Sequence, residues 1–357
     1  MSLKFHWMLP KGGEVKLDGS QTPLEAARYR IASMSVDSPA PKPDLEGWTH
    51  FARHAEAAGI DSVLISFSRY EPDPFLVSCA LGQAVSRLKF IIAYRSGLMQ
   101  PATFVQQMNT ASALVQGRVS FNIVAGSSSE EQRGYGDFLS HDERYERAEE
   151  FLAICNAFWT TDEEVNFKGK HYRVEQGKLA TAFIGTDQRR PDIFVSGHSA
   201  RSEELVYSQG TCWLRVAETP EKLAPVVARA RGRGVGVCLR LCLICRPTRD
   251  EAVRVAEGLL PVDRDESTTT LKDDSQMYRE GKRIRSDEYW LGRSLWTGLV
   301  PHYGPVWTTL LGTPREIADV LLEYERIGVT EFIISGWPEV ETVDVFGREV
   351  LPLVLNH

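Results

Sequence analysis

Apolar and polar positions along the chain fall into two alternating rhythms. Short apolar runs recur, each followed by a stretch whose apolar residues stand three and four apart. The first pattern marks a buried strand and the second an amphipathic helix. Strands are predicted at 3–9, 61–66, 88–94, 118–124, 192–195, 211–215, 235–245 and 331–335. Helices are predicted at 45–58, where Leu45, Trp48, Phe51, Ala52 and Ala55 share one face, and at 75–86, 101–115, 141–159 and 199–208. Thr219 followed by Pro220 opens another helix, because proline suits the first helical position. Thr248-Arg-Asp-Glu251 and Thr313-Pro-Arg-Glu316 have the form of capping boxes, in which the Thr and Glu side chains satisfy free helix amides.

Eight strand segments alternating with helices imply parallel strands joined by crossover helices, as a doubly wound sheet or a closed barrel. Eight repeats favour the α/β (β/α)8 TIM barrel, read as a single domain over 1–357. Active-site residues then belong at the C-terminal ends of the strands. Two segments break the repeat. Residues 165–179 read as a small hairpin turning at Lys168-Gly-Lys170, and 261–296 are polar and mixed in charge. An insertion of that length in a compact domain is a mobile lid over the site or a disordered loop.

Composition narrows the class of function. Hydrophobic residues make up 43% and charged residues 25%, as in a globular protein with a large core. The net charge is −7 and no long Lys/Arg block is present, so neither nucleic acid nor an anionic membrane is an expected partner. The apolar runs are too short to span a bilayer, and the first residues lack a basic region followed by a long apolar stretch; a cytoplasmic location is expected. The six cysteines sit mostly in apolar surroundings and read as reduced thiols.

Several groups of residues bear on chemistry. Cys238-x3-Cys242-x2-Cys245 has the spacing of an iron–sulfur motif, but it lies in a predicted strand. There the first two thiols point one way and the third the other, so no metal is expected. His50 and His54 could share a helical face as metal ligands, although a solvated face is the commoner meaning of that spacing. Arg240 stands inside an apolar strand, where an arginine is rare without an anionic partner. It reads as half of a structural ion pair or as an anion clamp inside the barrel. Ser196-Gly-His-Ser-Ala-Arg201 opens a helix, so backbone amides at its N-terminus, helped by Ser199 and Arg201, suit a phosphate, or Ser199 merely caps. Asn122, at a strand end, suits the edge of a heterocycle or the start of a turn. Glu71 and Asp73 follow the second strand as an acid/base pair or as a charged loop.

Six stretches, in order, carry a resemblance. They are Phe5-His-Trp-Met-Leu-Pro10, Val63-Leu-Ile-x3-Arg69, Arg87-Leu-Lys-Phe-Ile-Ile-Ala-Tyr-Arg95, Gly117-Arg-Val-Ser-Phe-Asn-Ile-Val-Ala-Gly-Ser127, Phe138-Leu-x-His-x-Glu-Arg-Tyr-Glu146 and Phe332-Ile-Ile-Ser-Gly-Trp-Pro338. With them the chain resembles the flavin-dependent alkanesulfonate monooxygenases of the bacterial luciferase superfamily over nearly its whole length. The resemblance implies a homodimer or homotetramer that binds reduced FMN (FMNH2) from a separate NAD(P)H flavin reductase. It implies that O2 adds to the flavin as a C4a-peroxyflavin, which oxidises a small organic substrate. By matched position, Asn122 would contact the isoalloxazine ring, Tyr145 would lie by the phosphate with Gly197, His198 and Ser199, and Arg240 would stand beside flavin and substrate. The segment 261–296 matches the family's lid. The chain departs from the family pattern at Glu71 (a Cys there), Cys242 (a His), Trp337 (a Tyr), His198 (a Ser) and Pro301-His-Tyr303 (a lid-end Arg). His302 and Glu71 are therefore the candidates for proton transfer. Trp337, Cys242 and Tyr303 are the candidates for substrate contact, and the substrate is expected to be neutral, cationic or aromatic. The same fold also admits an F420-dependent oxidoreductase or a flavin-binding protein without catalysis.

Overall fold

The computed structural model describes residues 3–11, 43–69, 71–126, 129–185, 188–260, 276–284 and 288–356, with side chains in 276–284 from Arg279 onward. In chain order its strands are β1 (Lys4–Met8), β2 (Ser62–Ile65), β3 (Lys89–Tyr94), β4 (Val119–Ile123), β5 (Val165–Lys168), β6 (Arg173–Gly177), β7 (Ile193–Ser196), β8 (Cys212–Val216), β9 (Gly236–Cys245), β10 (Leu295–Trp296), β11 (Thr309–Gly312) and β12 (Glu331–Gly336). The α-helices are α1 (Leu45–Ala57), α2 (Pro74–Leu81), α3 (Pro101–Leu114), α4 (Ser129–Gly134), α5 (His141–Thr160), α6 (Ala200–Gln209), α7 (Pro220–Gly232), α8 (Arg249–Gly258), α9 (Gln276–Ile284), α10 (Val300–Tyr303), α11 (Pro314–Ile327), α12 (Glu339–Val345) and α13 (Leu351–Leu355).

Eight strands close into a parallel ring in the order β1-β2-β3-β4-β7-β8-β9-β12 and back to β1. The alternation of side chains along each strand divides the core in two. Phe5, Trp7, Val63, Ile65, Phe90, Ile92, Phe121 and Phe332 point outward into the layer shared with the helices. Leu64, Ile91, Ala93, Phe194, Cys212, Leu214, Cys238 and Ile333 fill the barrel interior. Below this apolar plug His6 pairs with Glu331 at 2.8 Å, and Asp61 accepts the Phe5 amide at 2.8 Å. Conserving a packed interior leaves the strands' C-terminal ends as the place for a site.

The predicted ring strands all form, each within a residue of its expected ends. The hairpin forms as the antiparallel pair β5–β6. Helix α2 stops at Leu81 rather than 86, with Gly82 as its C-cap, where a Cβ would lie 2.3 Å from Val115. The pairing of β10 and β11 was not expected. Strand β9 is ten residues long: its first half pairs with β8 and its second half with β11, which carries antiparallel β10 outside the ring. Thr313–Glu316 forms both halves of a capping box, whereas at Thr248 the side chain accepts the Glu251 amide. Ser140 and Glu143 form a further box at the start of α5. Half of the expected lid lies outside the described residues; α9 and 288–296 are its described parts. Among the described residues no helix is long and apolar enough to cross a membrane.

Candidate active site

A cavity of about 310 Å³ opens at the C-terminal ends of the ring strands. Met8, Leu64, Ala93 and Leu214 supply its apolar floor, and Ser66, Arg95, Asn122, Ser196 and Arg240 rise from the strand ends around it. Its described lining contains three arginines (Arg95, Arg215, Arg240) and two histidines (His141, His198), with no acidic side chain. A wall of that sign counts against the cationic substrate raised above.

Tyr145, Gly197 and His198 come together at one end of the cavity. Gly197 has φ +143°, and a Cβ there would lie 2.7 Å from both Tyr145 Oη and Ser202 Cβ. Ser199 is the N-cap of α6 and accepts the Ser202 amide at 3.2 Å, so its hydroxyl is committed to the helix. Tyr145 bonds Ser199 and Ser202, and burial raises its phenol. His198 Nε2 accepts the Val216 amide at 3.0 Å. Burial, with Arg215 beside it, lowers the imidazole to about 4, so the ring is neutral and carries its proton on Nδ1. Asn122 Oδ1 accepts the Ser196 hydroxyl at 2.8 Å, which orients the carboxamide so that its Nδ2 is the free donor at the cavity wall.

Arg240 is 7% exposed and lines the cavity from β9. Its Nη2 donates to Ser335 Oγ at 2.8 Å, and its Nη1 donates to the carbonyls of Leu241 and Ile333. Among the described residues no carboxylate pairs with it. Cys242, two residues on, donates to the Val306 carbonyl at 3.4 Å and meets Ser335 Oγ at 3.4 Å. Burial raises its thiol, which suits a packed neutral group.

The remaining candidates stand behind the wall. Glu71 bonds Ser66, which lines the cavity, and burial raises its carboxyl. Trp337 stacks on Trp307 with ring centroids 4.8 Å apart, and Tyr303 stands 5.4 Å from Trp307. Cys242 and Trp337 belong to the same apolar cluster, which reaches the cavity through Val306. His302 is buried beside Tyr303, 6.1 Å between rings. The cysteines of β9 diverge as expected: Cys238 faces the interior, Cys242 the upper cluster and Cys245 the helix layer. His54 pairs with Asp344 at 2.9 Å and meets His50 edge-on, 4.6 Å between rings, so that helix face packs against α12.

Sequence reasoning missed Arg215 and Arg95. Arg95 sits at the end of β3, with Nη2 on Glu131 at 2.8 Å and its guanidinium over Phe67. Arg215 shares strand parity with Trp213, which packs outward, so alternation sends it away from the barrel. At the rim it curls over the Trp213 ring, 4.3 Å to the centroid, and returns to the cavity.

Residues 5–331 match the family model for the luciferase-like monooxygenases. Among solved structures, the chain is similar to an EDTA monooxygenase from Chelativorans sp. BNC1, with a TM-score of 0.77 at 20% identity over 100% of this chain and 94% of that one. It is similar to a long-chain alkane monooxygenase, TM-score 0.72 at 19% identity over 99% and 91%. It is also similar to a riboflavin lyase solved with modified FMN and riboflavin, TM-score 0.72 at 17% identity over 99% and 91%. Identities this low speak for the barrel, and the match over most of the sequence speaks for the family. The chain belongs to the luciferase-like monooxygenase family of flavin-dependent monooxygenases.

Proposed function

We propose that this chain binds reduced FMN in the cavity and uses O2 to oxidise a small organic substrate, with a separate NAD(P)H-dependent reductase supplying the flavin. The observation that carries this reading is the cradle at Gly197, where a side chain would strike Tyr145 and Ser202. Only a bare backbone there leaves the start of α6, beside Tyr145, open to a phosphate. Bound reduced FMN supplies the electrons for O2 activation, one oxygen atom passing to the substrate and the other to water.

The chain's own groups do the positioning. Asn122, held by Ser196, offers Nδ2 to the edge of a ring. Met8, Leu64, Ala93 and Leu214 keep the floor dry, which protects a reactive oxygen species from water. Arg240, held by Ser335, keeps a positive charge beside the reacting atoms and stabilises the negative charge that develops there. Glu71, whose carboxyl burial raises, passes a proton toward the cavity through the Ser66 hydroxyl. Trp337, Cys242, Tyr303 and His302 shape the substrate's side through the wall at Val306. The working form is a homodimer or homotetramer.

Supplying the chain with FMN, NADH and a flavin reductase tests this reading against a panel of small organic compounds. Substrate-dependent oxygen uptake with an oxygenated product is expected. Turnover with F420 in the absence of O2 would replace flavin oxygenation by hydride transfer. Tight FMN binding with no compound turned over would indicate a flavin-binding protein without catalysis.

A further inference from the structure

Arg215 is a cation without a counter-ion of its own. It is 9% exposed, and burial pulls its guanidinium toward the neutral form. Its Nε is buried with no hydrogen-bond partner, and among the described residues no hydrogen bond or ion pair takes its Nη atoms. Its guanidinium lies over the face of Trp213, 4.3 Å to the centroid, which fixes the plane of the fork, and the side chain lines the cavity.

The acids that surround Arg215 are engaged elsewhere. Glu203 takes Arg229 at 2.9 Å and the Tyr207 hydroxyl at 2.9 Å. Glu218 takes Arg283 at 2.5 Å and Lys222 at 3.0 Å. Glu280, on α9, takes the same Arg283 at 2.5 Å. His198 does not share the load, because burial, with Arg215 beside it, keeps its ring neutral while Nε2 accepts the Val216 amide. One unmatched positive charge therefore lies at the end of the cavity where Gly197 and Tyr145 leave a cradle, and Glu280 faces it from α9.

We propose that Arg215 reads a phosphate monoester dianion at this end of the cavity, and that Glu280 limits how much negative charge the end accepts. The planar fork matches two phosphate oxygens. Glu280 repels further charge, so a terminal phosphate fits better than a pyrophosphate. The site rests on Arg215, Gly197 and Glu280; the flavin that would bear the phosphate rests on the function proposed above.

Two measurements on the full chain separate these layers. The first compares dissociation constants for FMN and riboflavin in wild type, Arg215→Met, Arg215→Lys and Glu280→Gln. Arg215→Met is expected to weaken FMN roughly 10- to 100-fold and leave riboflavin unchanged, the size of a lost charge-assisted contact. Arg215→Lys is expected to restore part of the preference, and Glu280→Gln to strengthen FMN binding roughly threefold. Equal weakening of both flavins by Arg215→Met, or an unchanged ratio, would overturn the assignment. The second titrates inorganic phosphate alone against chloride at equal ionic strength and follows the Tm. Phosphate should stabilise wild type and not Arg215→Met. If no flavin binds wild type but this shift is present, the flavin reading fails and Arg215 as a phosphate reader stands. If phosphate stabilises both proteins alike, or neither, the assignment is wrong.

Discussion

Arg240 and Ser335 meet inside the barrel, Nη2 to Oγ at 2.8 Å, from the adjacent strands β9 and β12. With the carbonyls of Leu241 and Ile333 on Nη1, the hydroxyl holds the guanidinium in one plane beneath the cavity. Every one of these acceptors is neutral. A buried cation held only by neutral groups lowers stability and persists where an anion or a developing negative charge meets it.

Arg240→Met keeps much of the side-chain volume and removes the charge. Its thermal stability is expected to equal or exceed that of wild type, while oxygenated product per flavin oxidised falls at least 100-fold. Calorimetry and product analysis on the same preparation check both halves. A large loss of Tm, or product at the wild-type level, would take Arg240 out of the mechanism.

Gly197→Ala places a methyl 2.7 Å from Tyr145 Oη and from Ser202, at φ +143°. A cost of about 1–3 kcal/mol is expected from the backbone conformation alone. FMN affinity should fall more steeply than riboflavin affinity, since the cradle is at the phosphate end. Equilibrium unfolding and a flavin titration measure the two effects.

Glu71 should make the folded protein less stable as pH rises. Burial raises its carboxyl in the folded state, so that state holds the proton longer than the unfolded chain does. The stabilisation is complete below the ordinary carboxylate range and is lost as pH climbs through the raised value. Glu71→Gln stays neutral, so its Tm is expected to exceed that of wild type at alkaline pH and to match it in acid. If Glu71 also delivers a proton, the alkaline fall in kcat disappears in the variant and kcat itself drops.

His198 should act in the opposite sense. Its folded value of about 4 lies below the ordinary 6.5, so the unfolded chain takes up a proton that the native ring refuses. Stability from this group is whole above about 6.5 and is lost as pH falls toward about 4. His198→Asn, which can still accept the Val216 amide, is expected to flatten the Tm profile across that window. An unchanged slope would show that the ring titrates normally.

The barrel was legible because each ring strand is a short apolar run, and the helices between them carry one apolar face. Arg240 stood out for the same reason: a lone charge inside the apolar run of β9 contrasts with its neighbours. What escaped is what depends on the rim rather than on the strand. Arg215 has the parity of outward-facing Trp213, and only the curl over that ring brings it back to the cavity. Strand β11 was missed because its pairing exists only where β9 outruns β8. The neutrality of His198 depends on its burial and on Arg215 beside it, seventeen residues later in sequence, which no local pattern announces. Glu71 was named for its chemistry, but its place behind Ser66 needed the fold.

The most direct test uses isotopically labelled O2 with the chain, FMN, NADH and a flavin reductase, and follows the label by mass spectrometry in a small organic substrate found by the panel screen. Product carrying one labelled oxygen atom is expected from wild type and not from Arg240→Met. Oxygen uptake that ends wholly as hydrogen peroxide, or product with no label, would contradict it.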